Sequence, residues 1–273
     1  PMPSDRDRLI SAARQLLAIE DLLGSGDLPA DALQLPPIQW AAPAGESAPA
    51  SAAGPATAAP AAGDGLSPEQ KAEALAELDR QEVTGCKKCP LCRSRTQTVF
   101  GEGHPDADLV FVGEAPGADE DMQGRPFVGR AGQLLDKMIR AMGLSREQVF
   151  ICNMLKCRPP DNRNPAPEET VACWPYLLRQ LEVIRPRVIV TLGNPATKGL
   201  LDTVTGITKM RGQFHELPEI APGLGGTPVM PTFHPAYVLR NYSTDTRGKV
   251  WSDLKQVISA LDLPAPADAG DSQ

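Results

Sequence analysis

Two groups of residues have types and spacings suited to chemistry. The first is thiol: Cys86, Cys89, Cys92, Cys152, Cys157 and Cys173. Cys86-x2-Cys89 overlaps Cys89-x2-Cys92, and paired thiols at that spacing read as a metal or redox site rather than a disulfide framework. By spacing alone, four thiolates suit zinc and an iron–sulfur cluster equally well. Cys152 lies inside an apolar run and reads as a small core residue. The second group is an acid, an amide and a histidine: Glu114 within Gly113-Glu114-Ala115-Pro116-Gly117, then Asn153, then His234. A carboxylate can orient water and stabilise developing positive charge. A carboxamide can donate and accept side by side. A histidine can hydrogen-bond a departing anion whether neutral or protonated.

The elements that must position these groups follow from hydrophobic pattern. Four short apolar runs predict strands at 109–112, 149–152, 188–192 and 229–233. The first three are near-continuous, as expected for strands buried on both faces of a parallel sheet. The fourth contains Pro231 and is expected at an edge. Helical patterns lie at 128–142, 167–184, 194–201 and 245–261. Another helix should start at Ser67-Pro68-Glu69-Gln70, a capping-box signature, and run to about Val83. The alternation predicts a three-layer α/β/α sandwich around a mostly parallel four-stranded sheet. In such sheets ligands bind beyond the carboxyl ends of the strands. Gly113-Glu114, Asn153, Gly193-Asn194 and His234 all follow strands, so they should share one edge.

Around this domain, expected at 67–263, the chain changes character. Residues 1–25 carry an apolar stripe at helical spacing. Residues 26–66 are dominated by Ala, Pro, Gly and Ser and read as a disordered linker. Residues 264–273 read as a disordered tail. The net charge of −7 belongs to the flanks, since residues 84–255 are mildly basic. A polyanion partner is therefore compatible. No membrane partner is expected, for want of an apolar run long enough to span a bilayer. The first residues lack a signal-peptide pattern, so the expected location is cytoplasmic.

Several strings, in order, carry a resemblance. Cys86-Lys87-Lys88-Cys89-Pro90-Leu91-Cys92 leads into Phe100-Gly101-Glu102-Gly103 and Gly113-Glu114-Ala115-Pro116-Gly117. Gly124-Arg125-Pro126-Phe127-Val128-Gly129-Arg130-Ala131-Gly132 follows. Then come Ile151-Cys152-Asn153, Lys156-Cys157-Arg158-Pro159-Pro160-Asp161-Asn162-Arg163 and Pro231-Thr232-Phe233-His234-Pro235-Ala236-Tyr237. Over roughly residues 84–260 the chain resembles the family 4, iron–sulfur uracil-DNA glycosylases. The resemblance implies a DNA-repair hydrolase that flips uracil out of single- or double-stranded DNA and cuts its N-glycosidic bond. It implies a structural 4Fe–4S cluster on Cys86, Cys89, Cys157 and Cys173, with Cys92 outside the set. The protein is expected to act as a monomer.

Carried over by position, the resemblance places Phe127 against the base and Asn153 on its O4 and N3–H edge. Gly113 and Ala115 supply backbone contacts. Glu120 reaches the C5 side or joins a solvated acidic run with Asp119 and Asp121. Glu114 handles water and sugar charge, His234 the uracil O2, and Asn162 stands near the water. Tyr237, Val238, Leu239 and Arg240 form a loop that enters DNA, and Lys156, Arg158 and Arg163 are candidate backbone contacts or ordinary surface charges. The family more often has Ser where Ala236 stands. A related iron–sulfur subgroup traps DNA covalently through a histidine, but carries a basic loop that Gly223-Leu224-Gly225-Gly226-Thr227-Pro228 lacks. A non-catalytic recruitment module is the other reading, and the Glu114, Asn153 and His234 set speaks against it. Residues 1–25 could bind a repair or replication partner in addition.

Overall fold

The computed structural model describes residues 65–264. The expected helix within 1–25, nearly all of the expected linker and the expected tail beyond residue 264 lie outside the described residues.

Helix α1, Pro68–Leu78, begins as its sequence requires. The Gln70 N–H donates to Ser67 Oγ and the Ser67 N–H donates back to Gln70 Oε1. A π-helical turn, Asp79–Val83, continues it towards the first cysteines. The strands are β1 Glu102–Gly103, β2 Leu109–Gly113, β3 Phe150–Asn153, β4 Val188–Leu192, β5 His215–Glu216 and β6 Pro228–Thr232. They form one sheet in the order β1-β3-β2-β4-β6-β5. The four central strands run parallel, and the two-residue β1 and β5 pair antiparallel at the margins. Among the described residues the sheet thus has six strands where pattern predicts four. Two residues are too few to show a period. Pro231 also departs from expectation, because β6 has neighbours on both sides. β5 pairs only with Pro228 and Val229, so Pro231 lies past the end of that pairing.

Side chains alternate across the sheet with period two. Leu109 and Phe111 pack with Leu135, Ile139 and Leu254 on one face. Val110 and Val112 pack with Leu177, Leu181 and Leu200 on the other. The helices supplying these partners are α3 (Arg130–Ala141) and α8 (Thr244–Ala260) on the first face, and α4 (Pro167–Ile184) and α5 (Asn194–Leu201) on the second. The expected three layers are therefore present. Short helices α2 (Ala118–Gln123), α6 (Ile207–Met210) and α7 (Pro235–Arg240) border the carboxyl edge of the sheet. No helix among the described residues is long and apolar enough to cross a membrane.

Candidate active site

The carboxyl ends of the parallel strands open into a cleft of about 530 Å³ lined by Glu114, Phe127, Asn153 and His234, among others. That volume suits a small organic ligand. Gly113 ends β2 directly opposite Asn153, the last residue of β3. A Cβ on Gly113 would stand 2.3 Å from Asn153 Oδ1 and 2.6 Å from Phe127 Cζ. Only glycine lets the amide and the ring share that corner. Asn153 is buried, and its Oδ1 has no hydrogen-bond partner among the described residues. An unsatisfied buried acceptor costs about 1–3 kcal/mol, so a ligand N–H that completes it gains correspondingly.

Phe127 closes the same corner in a left-handed backbone conformation, φ +52°. Glu120 supports the residues after it. Its Oε1 accepts from the N–H groups of Val128 (2.9 Å) and Gly129 (3.0 Å), and its Oε2 from that of Gly117 (3.1 Å). One carboxylate therefore ties the loop after β2 to the Phe127 segment. Glu120 also lines the cleft.

His234 caps helix α7, with Nδ1 accepting the Ala236 N–H at 3.1 Å. An accepting Nδ1 leaves the ring proton on Nε2. Burial, with the Arg240 charge nearby, pushes the imidazole down to about 4. The ring is therefore neutral near pH 7 and offers one N–H donor. Its centroid lies 5.6 Å from that of Phe127. Burial also holds the Glu114 carboxyl above the usual carboxylate range. The Glu114 carbonyl accepts the Leu155 N–H at 3.0 Å, which fixes its loop to the segment after β3.

Residues 100–255 match the profile of the uracil DNA glycosylase superfamily. The type-4 uracil-DNA glycosylase of Thermotoga maritima is 49% identical over 190 residues, 69% of this chain and 96% of the relative. The chain belongs to the type-4 uracil-DNA glycosylases. Similar relatives of the same name occur in Sulfurisphaera tokodaii, at 46% identity over 66% of this chain and 82% of the relative, and Archaeoglobus fulgidus, at 44% over 68% and 92%.

In this type-4 glycosylase the four cysteines singled out from sequence stand together. Cys86, Cys89, Cys157 and Cys173 line one small cleft with Val83 and Tyr176, and Cys92 and Cys152 do not. Arg95 Nη1 donates to Cys157 Sγ at 3.1 Å. The Lys156 backbone N–H donates to Cys173 Sγ at 3.1 Å, and the Tyr176 hydroxyl to Cys86 Sγ at 3.2 Å. Such donors stabilise metal-bound thiolates. Four thiols around one cleft, three of them already receiving N–H or O–H donors, fit a metal–thiolate group.

Other predicted positions are placed less uniformly. Asn162 lies at the rim of the cleft, where its Oδ1 accepts from Arg158 Nε at 2.8 Å. Residues 235–240 form helix α7 rather than a loop, started by the His234 cap and by Pro235 at the first position. Tyr237 and Arg240 are exposed on it and line the cleft, and Leu239 is half-buried. Val238 must be corrected from a DNA contact to a core residue. It is 2% exposed and packs beneath the helix with the first-face cluster. Lys156 is likewise no contact to the DNA backbone. It is buried, and its Nζ donates to Asn153 O at 2.8 Å and Gln180 Oε1 at 2.6 Å. Arg163 is engaged by the buried Glu169 at 2.6 Å. The sequence also gives no hint of Ile207 and Thr208 in the cleft wall. Asn194 Oδ1, which accepts the Ile207 N–H at 3.0 Å, holds them there without any local motif.

Proposed function

We propose that this chain excises uracil from DNA by hydrolysing the N-glycosidic bond of a flipped deoxyuridine, leaving an abasic site. The observation that carries this reading is the buried Asn153 Oδ1, unpartnered beside Phe127 at the inner end of the cleft. A base inside a duplex cannot reach such a corner, so it must leave the stack. Phe127 provides the face on which it lies. Asn153 accepts the uracil N3–H with Oδ1 and donates to O4 with Nδ2. Cytosine reverses both groups, offering a lone pair at N3 and an amino group at C4, and is rejected. Gly113 and Ala115 contribute backbone at the same wall, and Glu120 is assigned to the C5 side.

As the C1′–N1 bond breaks, its electron pair passes to the uracil ring and develops on O2. The neutral His234 Nε2–H donates to that oxygen without first having to lose a proton. Positive charge on the sugar is stabilised by the Glu114 carboxylate, which also orients the attacking water and accepts its proton. The water oxygen bonds to C1′. Asn162 helps place that water from the rim. Tyr237, Leu239 and Arg240 present the α7 surface to the DNA strand.

Cys86, Cys89, Cys157 and Cys173 would hold the 4Fe–4S cluster that the resemblance implies. Such a cluster supplies a crosslink between the loop before β1 and the segments after β3, with no electron entering the hydrolysis. A DNA substrate also fits the cytoplasmic location expected from the sequence.

The test is uracil release from oligonucleotides carrying one U, both single- and double-stranded, followed by alkaline cleavage at the abasic site. Release by wild type and strong slowing by Asn153→Asp and Glu114→Gln are expected. DNA binding without release would refute the proposal.

A further inference from the structure

Phe127 stacks only if its backbone stays in a conformation that an aromatic residue avoids. Glu120 fastens the N–H groups that follow it, but something must also hold the carbonyls. Arg146 does so. Its Nη1 donates to Phe127 O at 3.1 Å and to Asp136 Oδ1 at 2.7 Å, and its Nη2 donates to Pro126 O. Its Nε donates to Glu102 Oε1, while Glu102 also receives Arg125 in a two-point pair. The Arg146 side chain is 14% exposed. A Cβ on Gly132 would stand 1.8 Å from Phe127 O, so the start of α3 presses against the same peptide.

We propose that Arg146 is a positioning residue for uracil recognition, clamping the Pro126 and Phe127 carbonyls so that the Phe127 ring is pre-formed as the stacking wall. The guanidinium is suited to this task. It is a rigid planar fork that satisfies two successive carbonyls and two carboxylates at once, which a lysine ammonium cannot match. The inference rests on the uracil-excision reading for what the wall receives. The clamp itself is a property of residues 102, 126, 127, 136 and 146.

A double-mutant cycle tests it, with single-turnover excision of U and binding of an oligonucleotide containing a stable abasic analogue as two separate readouts. Arg146→Met should slow excision by about tenfold to a hundredfold, the scale of a misplaced binding group. Binding to the abasic analogue should not change, since that ligand has no base to stack. Arg146→Lys should recover part of the loss. In the Phe127→Ala background, Arg146→Met should cost little more, because the ring it positions is already gone. Multiplying losses in the double variant would overturn the clamp, as would equal losses in excision and abasic-DNA binding. If Arg146→Met does not fold, the same cycle is run with Arg146→Lys. Absence of excision in wild type would refute the uracil reading instead, and so is distinguishable from failure of the clamp.

Discussion

Gly113 and Asn153 end neighbouring parallel strands in register, and a Cβ on the glycine would lie 2.3 Å from the amide oxygen. The contact links backbone register to base recognition. Gly113→Ala should displace the Asn153 and Phe127 side chains rather than the strand. Excision should fall by about tenfold or more, while overpacking costs about 1–3 kcal/mol of stability. Kinetics and thermal melting, measured side by side, check this. Full activity in a stable Gly113→Ala protein would separate the glycine from the site.

Neutral His234 and a raised Glu114 give the pH profile a definite shape. With its imidazole down at about 4, His234 should contribute no limb near the usual histidine value. Glu114 must be ionised to act, and burial raises its folded value, so activity should fall with acid through a point above the ordinary carboxylate range. Glu114→Gln should abolish that limb along with most activity. A limb near 6.5 that disappears in His234→Gln would contradict the assignment.

The same histidine links stability to acid. Its folded value lies below its unfolded one, so the unfolded chain binds the extra proton first. The contribution is complete above about 6.5 and is lost as pH falls towards about 4, by about 3 kcal/mol at most. Denaturant melts of wild type and His234→Gln across that window measure it. Parallel curves for the two proteins would count against a buried neutral imidazole.

Cysteine substitutions should divide by cleft. Cys173→Ser should remove the visible iron–sulfur absorbance of protein prepared without oxygen and lower its melting temperature. Cys92→Ser should do neither, because Cys92 stands outside the shared cleft. Retained absorbance in Cys173→Ser, or its loss in Cys92→Ser, would redraw the ligand set.

On helix α7, exposure decides which changes touch DNA. Arg240→Ala should weaken binding and reduce the salt dependence by about one phosphate contact. Val238→Ala should act through the core, lowering stability by about 1–3 kcal/mol with little change in salt slope. Binding isotherms at several salt concentrations, with melting curves, resolve the two.

Much of this site was legible because parallel strands impose order. With β2, β3 and β6 legible as apolar runs, topology alone predicts Glu114, Asn153 and His234 on one edge. The capping box at Ser67 was equally local and equally visible. What remained hidden depended on distance in sequence. Nothing near Arg146 announces that it reaches Phe127, and nothing near Lys156 announces that its ammonium is buried under Asn153. Val238 reads as a DNA contact by sequence, but Pro235 and the His234 cap turn the segment into a helix, which points one residue of the string inwards. The strands β1 and β5 are invisible in the sequence because two residues carry no pattern.

The most direct test of base reading by Asn153 is single-turnover excision from otherwise identical oligonucleotides carrying one U or one C, by wild type and Asn153→Asp. Wild type should release uracil and leave cytosine. The variant should lose uracil excision by at least about a hundredfold, with the preference for U over C reduced. An Asn153→Asp protein that excises uracil at the wild-type rate with its selectivity intact would contradict the account.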